Sequence, residues 1–113
     1  MPTNYQNYIA DDWCDGATTI ANINPSDLSD MIGHFAQASR HQLDTALDAA
    51  VTAQKKWAKT GIEARQTVLI NIGNEMMQRR EELGALLSRE EGKPLAEGIG
   101  EIYRAGQFFT YYA

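Results

Sequence analysis

The sequence predicts an α+β chain in which short strands lead into four helices. Three observations carry this. Residues 5–36 are rich in aromatic and β-branched side chains broken by polar turns, whereas residues 39–113 place apolar side chains at steps of three and four. Two capping patterns, Ser39-x-x-Gln42 and Thr60-x-x-Glu63, mark where helices begin. Gly92-Lys93-Pro94 closes one helix and opens another, because glycine takes the left-handed conformation at a helix end and proline cannot continue the run.

Taken in order, Tyr8-Ile9 and Trp13-Cys14 form a hairpin with Ala10-Asp11-Asp12 as its turn. Thr18-Thr19-Ile20 continues extended after Asp15-Gly16. A lone hairpin is marginal in water, so it must rest on another element. Asn24-Pro25-Ser26-Asp27 is a polar turn, and Met31-Ile32-Gly33-His34-Phe35 supplies a further strand. The first helix puts Leu43, Ala46, Leu47, Ala50, Ala53 and Trp57 on one face. The second, over residues 65–80, turns Leu69, Ile72 and Met76 inward. Glu81 and Glu82 complement the dipole at the start of a short third helix, whose apolar side is Leu83, Leu86 and Leu87. The last helix carries Leu95, Ile99, Ile102, Gly106 and Phe109 as one stripe, with no stop residue near Ala113, so the chain is expected to continue.

Composition narrows the function classes. The chain has 113 residues, room for one ordinary domain, and a net charge of −5 without any Lys/Arg run. Phosphate binding relies on clustered cations, so a nucleic-acid partner is not expected. No basic and apolar leader and no apolar run of spanning length occur, so no membrane partner is expected either. A single cysteine leaves no internal disulfide framework. Together these features predict a cytoplasmic location.

Few residues suggest chemistry by themselves. Cys14 is the sole thiol, but a catalytic thiol needs a base or a positive field, and here Trp13 and Asp15 flank it. His34 fits a half-exposed strand position and His41 a solvated first helical turn; neither has metal-ligand or triad spacing. Gly98, Gly100 and Gly106 fall inside a helix, not between a strand and a helix start, so they are no dinucleotide fingerprint. Each costs about 1 kcal/mol relative to alanine there, which points to close packing against another segment. No catalytic residue and no cofactor-binding residue is assigned. Phe108, Phe109, Tyr111 and Tyr112 read as core or interface.

Glu90-Glu91-Gly92-Lys93-Pro94-Leu95-x-Glu97, then Gly100-Glu101-Ile102-x-Arg104-Ala105-Gly106 and the terminal Tyr111-Tyr112-Ala113, resemble the N-terminal region of the NAD(P)-dependent aldehyde dehydrogenases. Asn7-Tyr8-Ile9, Trp13-x-Asp15-Gly16 and Ile23-Asn24-Pro25 fall where that family has them. Residues 89–93 and 97–101 look most like the 2-oxoglutarate semialdehyde dehydrogenases. The resemblance implies that residues 1–113 are part of the α/β N-terminal cofactor-binding domain of that fold, lacking its Rossmann core and catalytic domain. It implies an enzyme in which a cysteine thiolate adds to the aldehyde, hydride passes to NAD or NADP, and a glutamate-activated water releases the acid. None of those groups matches a residue here, so this stretch alone is expected to be inactive and not to hold the cofactor tightly. The expected partners are the remainder of the chain, a small aldehyde and further copies in a homo-oligomer.

The same resemblance places a monovalent cation, Na+ or K+, between the Ile23 carbonyl and Glu90, and brings Gly100 and Arg104 to the substrate tunnel. Arg104 could there meet a second carboxylate of the substrate by a forked contact; a surface ion pair with Glu101 or Glu97 is the plainer alternative. A different reading of the whole is a self-standing helical module, without enzymatic activity, that binds a protein partner through its aromatic end.

Overall fold

The computed structural model describes residues 3–113. Short strands precede four helices among the described residues, as the sequence predicts; of the five strands, the one at Asn4–Tyr5 was not expected. The chain divides into two compact units, Met1–Lys59 and Thr60–Ala113.

In the first unit, β1 (Asn4–Tyr5), β5 (Met31–Gln37) and β4 (Thr18–Ile23) form a sheet in that order. β4 runs antiparallel to β5, and β1 runs parallel to it, pairing Asn4 with His34 and Tyr5 with Phe35. The Tyr5 and Phe35 rings stack with centroids 4.5 Å apart. Gly33 allows this strand pair to close: an added Cβ would lie 2.7 Å from the Thr3 carbonyl oxygen and 2.5 Å from the Tyr5 ring. Ile32 beside it is the one buried apolar side chain among the described residues.

β2 (Asn7–Ile9) and β3 (Asp12–Cys14) form the expected hairpin, pairing Tyr8 with Trp13. Its turn is shorter than expected. Asp12 belongs to β3, and Ala10 and Asp11 alone make the loop, with φ of 54° and 73°. Two residues at positive φ give a turn whose twist matches that of the strands. Neither is glycine, and the Asp11 carboxylate accepts a hydrogen bond from the Tyr8 hydroxyl, so the side chains hold the conformation.

α1 (Arg40–Trp57) begins with the capping box expected at Ser39. The Ser39 hydroxyl accepts from the Gln42 amide at 3.1 Å, and the Gln42 side chain accepts from the Ser39 amide at 2.9 Å. Gln42 Nε2 also donates to the Asp15 carbonyl at 2.7 Å, which ties α1 to the end of the hairpin strand. The apolar face of α1 is not covered among the described residues: Leu43, Leu47, Val51 and Trp57 are all exposed.

In the second unit, α4 (Leu95–Tyr112) packs against both α2 (Ile62–Gln78) and α3 (Arg80–Glu91). The expected capping box at Thr60 does not form. Gly61 is the N-cap of α2, and no side chain caps it. α2 and α3 meet at Arg79 without glycine or proline, and its guanidinium bonds Glu75 at 3.0 Å and Glu82 at 2.9 Å. Gly92 ends α3 at φ 72°, and Pro94 starts α4, as the sequence requires.

Glycines set how closely these helices approach. A Cβ on Gly98 would sit 2.5 Å from the Gly84 carbonyl oxygen, and one on Gly84 would sit 2.7 Å from Ile99 Cα. Farther along α4, a Cβ on Gly106 would be 3.2 Å from the Gly73 carbonyl oxygen. The packing reading is correct for Gly98 and Gly106 and fails for Gly100, where an added Cβ meets nothing within 4 Å. The C-terminal aromatics are not core: Phe108, Tyr111 and Tyr112 are exposed and only Phe109 is half-buried.

Lys93 bridges the α3–α4 turn, with Nζ 2.6 Å from Glu91 Oε2 and 2.7 Å from Glu101 Oε1. Hydrogen bonds first to Glu101 and then to Glu91 hold its ammonium above the usual lysine value.

Two outcomes follow from this packing. Gly98→Ala is expected to destabilise the fold by about 1–3 kcal/mol through overpacking, whereas Gly100→Ala raises stability by about 0.4–1 kcal/mol through the unfolded chain. Thermal unfolding of the two variants checks the contrast, and equal effects would contradict it. Because its folded pKa is raised, the Lys93 ion pair contributes fully below the ordinary lysine pKa of about 10.4 and is lost as pH climbs through the higher folded value. The difference in Tm between the parent and Lys93→Met should therefore shrink above that pH; a difference that persists there would refute the assignment.

Candidate functional site

Within the second unit, Gly100 and Arg104 open into one groove of about 610 Å³ on α4, together with Glu97, Glu101, Ala105 and Phe108. Residues four apart share a helix face, which is how the sequence brings them together. Gly100 contributes space, since nothing stands where its side chain would be. Arg104 contributes five donors in a planar fork, and it forms no hydrogen bond or ion pair among the described residues. The alternative surface pair with Glu101 or Glu97 is not formed, and Glu101 accepts from Lys93 at 2.7 Å instead. Phe108 forms an apolar wall and is 56% exposed. Chemically, the groove can orient a small molecule by its anionic end; it contains neither a nucleophile nor a general base of suitable type beyond two solvated carboxylates.

The remaining candidates divide between the units. Ile23 ends β4 in the first unit, next to a register irregularity between Asn22 and Ile23. Glu90 lies in the last turn of α3 in the second, half-buried, with no hydrogen bond or ion pair among the described residues. A half-buried carboxylate at a helix C-terminus is unfavourably placed for the dipole and suits a counter-cation. No group of three or more His, Cys, Asp or Glu side chains that could hold a metal ion occurs among the described residues.

Cys14 is half-buried in β3, with Sγ 3.7 Å from Gln42 Nε2. His34 is half-buried in the middle of the sheet, opposite Asn4 and Ala21. His41 is exposed in the first turn of α1. A second groove, about 920 Å³, separates the hairpin residues Tyr8 to Asp11 from the alanine-rich face of α1 at Ala46, Ala49 and Ala53. The residue that sequence reasoning missed is Lys93 as a partner of Glu101. The two are eight positions apart across a proline turn, a distance that no helical spacing rule reaches.

The glycines of the last helix do not form a dinucleotide fingerprint. Gly98, Gly100 and Gly106 all lie within α4; two are occupied by helix packing, and none follows a strand. No helix among the described residues is long and apolar enough to cross a membrane.

Comparison with known proteins places the chain. The aldehyde dehydrogenase family profile matches residues 13–113. The chain is 32% identical over 110 residues to an alpha-ketoglutarate semialdehyde dehydrogenase of Haloferax volcanii, covering 96% of this chain and 23% of that protein. It is 35% identical over 94 residues to 1-pyrroline-5-carboxylate dehydrogenase 2 of Bacillus subtilis, covering 83% of this chain and 18% of that protein. Among solved structures, 1-pyrroline-5-carboxylate dehydrogenase of Thermus thermophilus superposes with a TM-score of 0.93 at 32% identity, over 98% of this chain and 22% of that one. The chain thus spans about a fifth to a quarter of the length of such relatives. With its strands, its four helices and nearly all its residues matched, the chain belongs to the aldehyde dehydrogenase family.

Proposed function

We propose that these residues form the N-terminal portion of an NAD(P)-dependent enzyme that oxidises an aldehyde to a carboxylate, with 2-oxoglutarate semialdehyde as the candidate substrate. The observation that carries this reading is the family match over a chain whose apolar faces are left uncovered: Leu47, Val51, Phe108, Tyr111 and Tyr112 are each more than half exposed. The remainder of a longer chain covers them in this reading. NAD or NADP would accept the hydride, and the remainder of the longer chain would hold it.

What this portion contributes is recognition. Arg104 meets the carboxylate remote from the aldehyde through paired, charge-assisted hydrogen bonds. Gly100, one turn earlier, leaves room for the substrate body, and Phe108 shields it from water on one side. The carboxylate of Glu90, a hard oxygen donor, takes part in holding a monovalent cation, Na+ or K+. The uncovered aromatics would equally suit a small partner-binding module, and activity of the full-length protein separates the two.

In the full-length enzyme, Arg104→Ala should raise KM for a carboxylate-bearing aldehyde about tenfold or more relative to an uncharged aldehyde, because a hydrogen-bonded charge contact contributes about 1.5–3 kcal/mol. Equal KM changes for both substrates, or no NAD(P)H formation from any aldehyde, would overturn the assignment. Glu90→Gln should abolish any rise in Tm on adding KCl in place of a salt of a large organic cation. A rise that survives the substitution removes Glu90 from the cation site.

A further inference from the structure

Arg104 stands on a helix that also offers it carboxylates. Residues three and four apart on a helix are neighbours, so Glu101, three positions earlier, is its nearest acidic candidate. That pairing is not formed, and the Glu101 carboxylate is engaged elsewhere. Lys93 Nζ holds Glu101 Oε1 at 2.7 Å and Glu91 Oε2 at 2.6 Å, and the lysine side chain is only 16% exposed. The position four residues before Arg104, where a second acid would compete, is Gly100. The positions three and four residues after it are Gln107 and Phe108, neither of them charged. Glu97 lies seven positions away, a rise of about 10 Å along the helix, and makes no pair with Arg104 among the described residues.

The turn geometry makes Lys93 the residue able to do this. Gly92 at φ 72° reverses the chain and Pro94 redirects it into α4, so Lys93 lies between the last turn of α3 and the second turn of α4. A lysine held by two carboxylates is more strongly fixed than a single exposed pair, whose net contribution is small.

We infer that Lys93 is a positioning residue for substrate selection: by holding Glu101, it keeps the Arg104 guanidinium uncommitted for the carboxylate of an anionic aldehyde. The inference rests on the reading of Arg104 given above and deepens it. Without the lysine, Glu101 swings to Arg104 and occupies the fork intended for the substrate. Lys93 touches no reacting atom; it acts through Glu101.

The test is a specificity ratio, kcat/KM for a carboxylate-bearing aldehyde over that for an uncharged aldehyde of similar length, measured on the full-length enzyme. Lys93→Met should lower this ratio about three- to tenfold, a range set by an exposed ion pair at one end and a forked charge contact at the other. The loss should appear in KM more than in kcat. Lys93→Arg, which can still hold Glu101, should retain the ratio. Adding Glu101→Gln to Lys93→Met should restore it, because the competing carboxylate is gone; a merely structural role for Lys93 predicts no such rescue. An unchanged ratio in Lys93→Met, or a double variant that stays low, overturns the inference. Loss of selectivity in Arg104→Ala alongside either result leaves the substrate reading intact, whereas an unchanged Arg104→Ala removes the reading on which the inference stands.

Discussion

Everything in the second unit depends on how closely α4 approaches its two neighbours. Gly98 lies against the backbone of Gly84, and Gly106 against that of Gly73, so one helix is locked at two points along its length. Backbones this near leave no room for a side chain between them, and interiors packed to this density do not yield cheaply. The locking fixes the rotation of α4 about its axis. Once that rotation is set, Ile99, Ile102 and Phe109 are half-buried, while Gly100 and Arg104 turn to the groove. The placement of Arg104 in that groove is thus a consequence of helix packing, not of any loop.

The first unit is organised by a different limit. Its sheet has three strands and its hairpin two, and Ile32 alone among the described apolar side chains is buried. Hydrophobic burial is the main favourable term in folding, at roughly 25 cal/mol per Å² of apolar surface. A unit that covers so little of that surface relies on directional bonds: the capping box at Ser39, the Gln42 bond to the Asp15 carbonyl, and the Tyr5–Phe35 stack. Such bonds orient elements well and stabilise weakly. In the reading proposed above, the remainder of a longer chain covers these faces.

Much of this was legible in the residues. The four helices, Gly92 as a left-handed cap and the Ser39 capping box follow from local rules, because each is satisfied within a few residues of itself. The Thr60 pattern misled because a capping box requires the N-cap at that residue, and Gly61 takes the role instead. The parallel pairing of β1 with β5 was not legible, since it joins residues some thirty positions apart and leaves no periodic trace. Gly100 looked like a packing glycine because sequence cannot tell which side of a helix has a neighbour. Gly98 and Gly100 differ by two residues and therefore by more than half a turn, one facing α3 and the other open space. The Lys93–Glu101 pair escaped for a related reason: it is set by the direction of the chain after Pro94, which no spacing rule encodes.

The parallel β1–β5 ladder also closes a longer loop than the antiparallel pairings do. Asn4 and Tyr5 precede the hairpin and β4 in the sequence, yet the residues they pair with, His34 and Phe35, follow both. Closing a loop of that length is slower than closing the two-residue turn at Ala10-Asp11 or the short link from β4 to β5. On loop length alone β1 is the costliest strand to add to this sheet, and while unpaired it is an open template for whatever extended segment lies nearby.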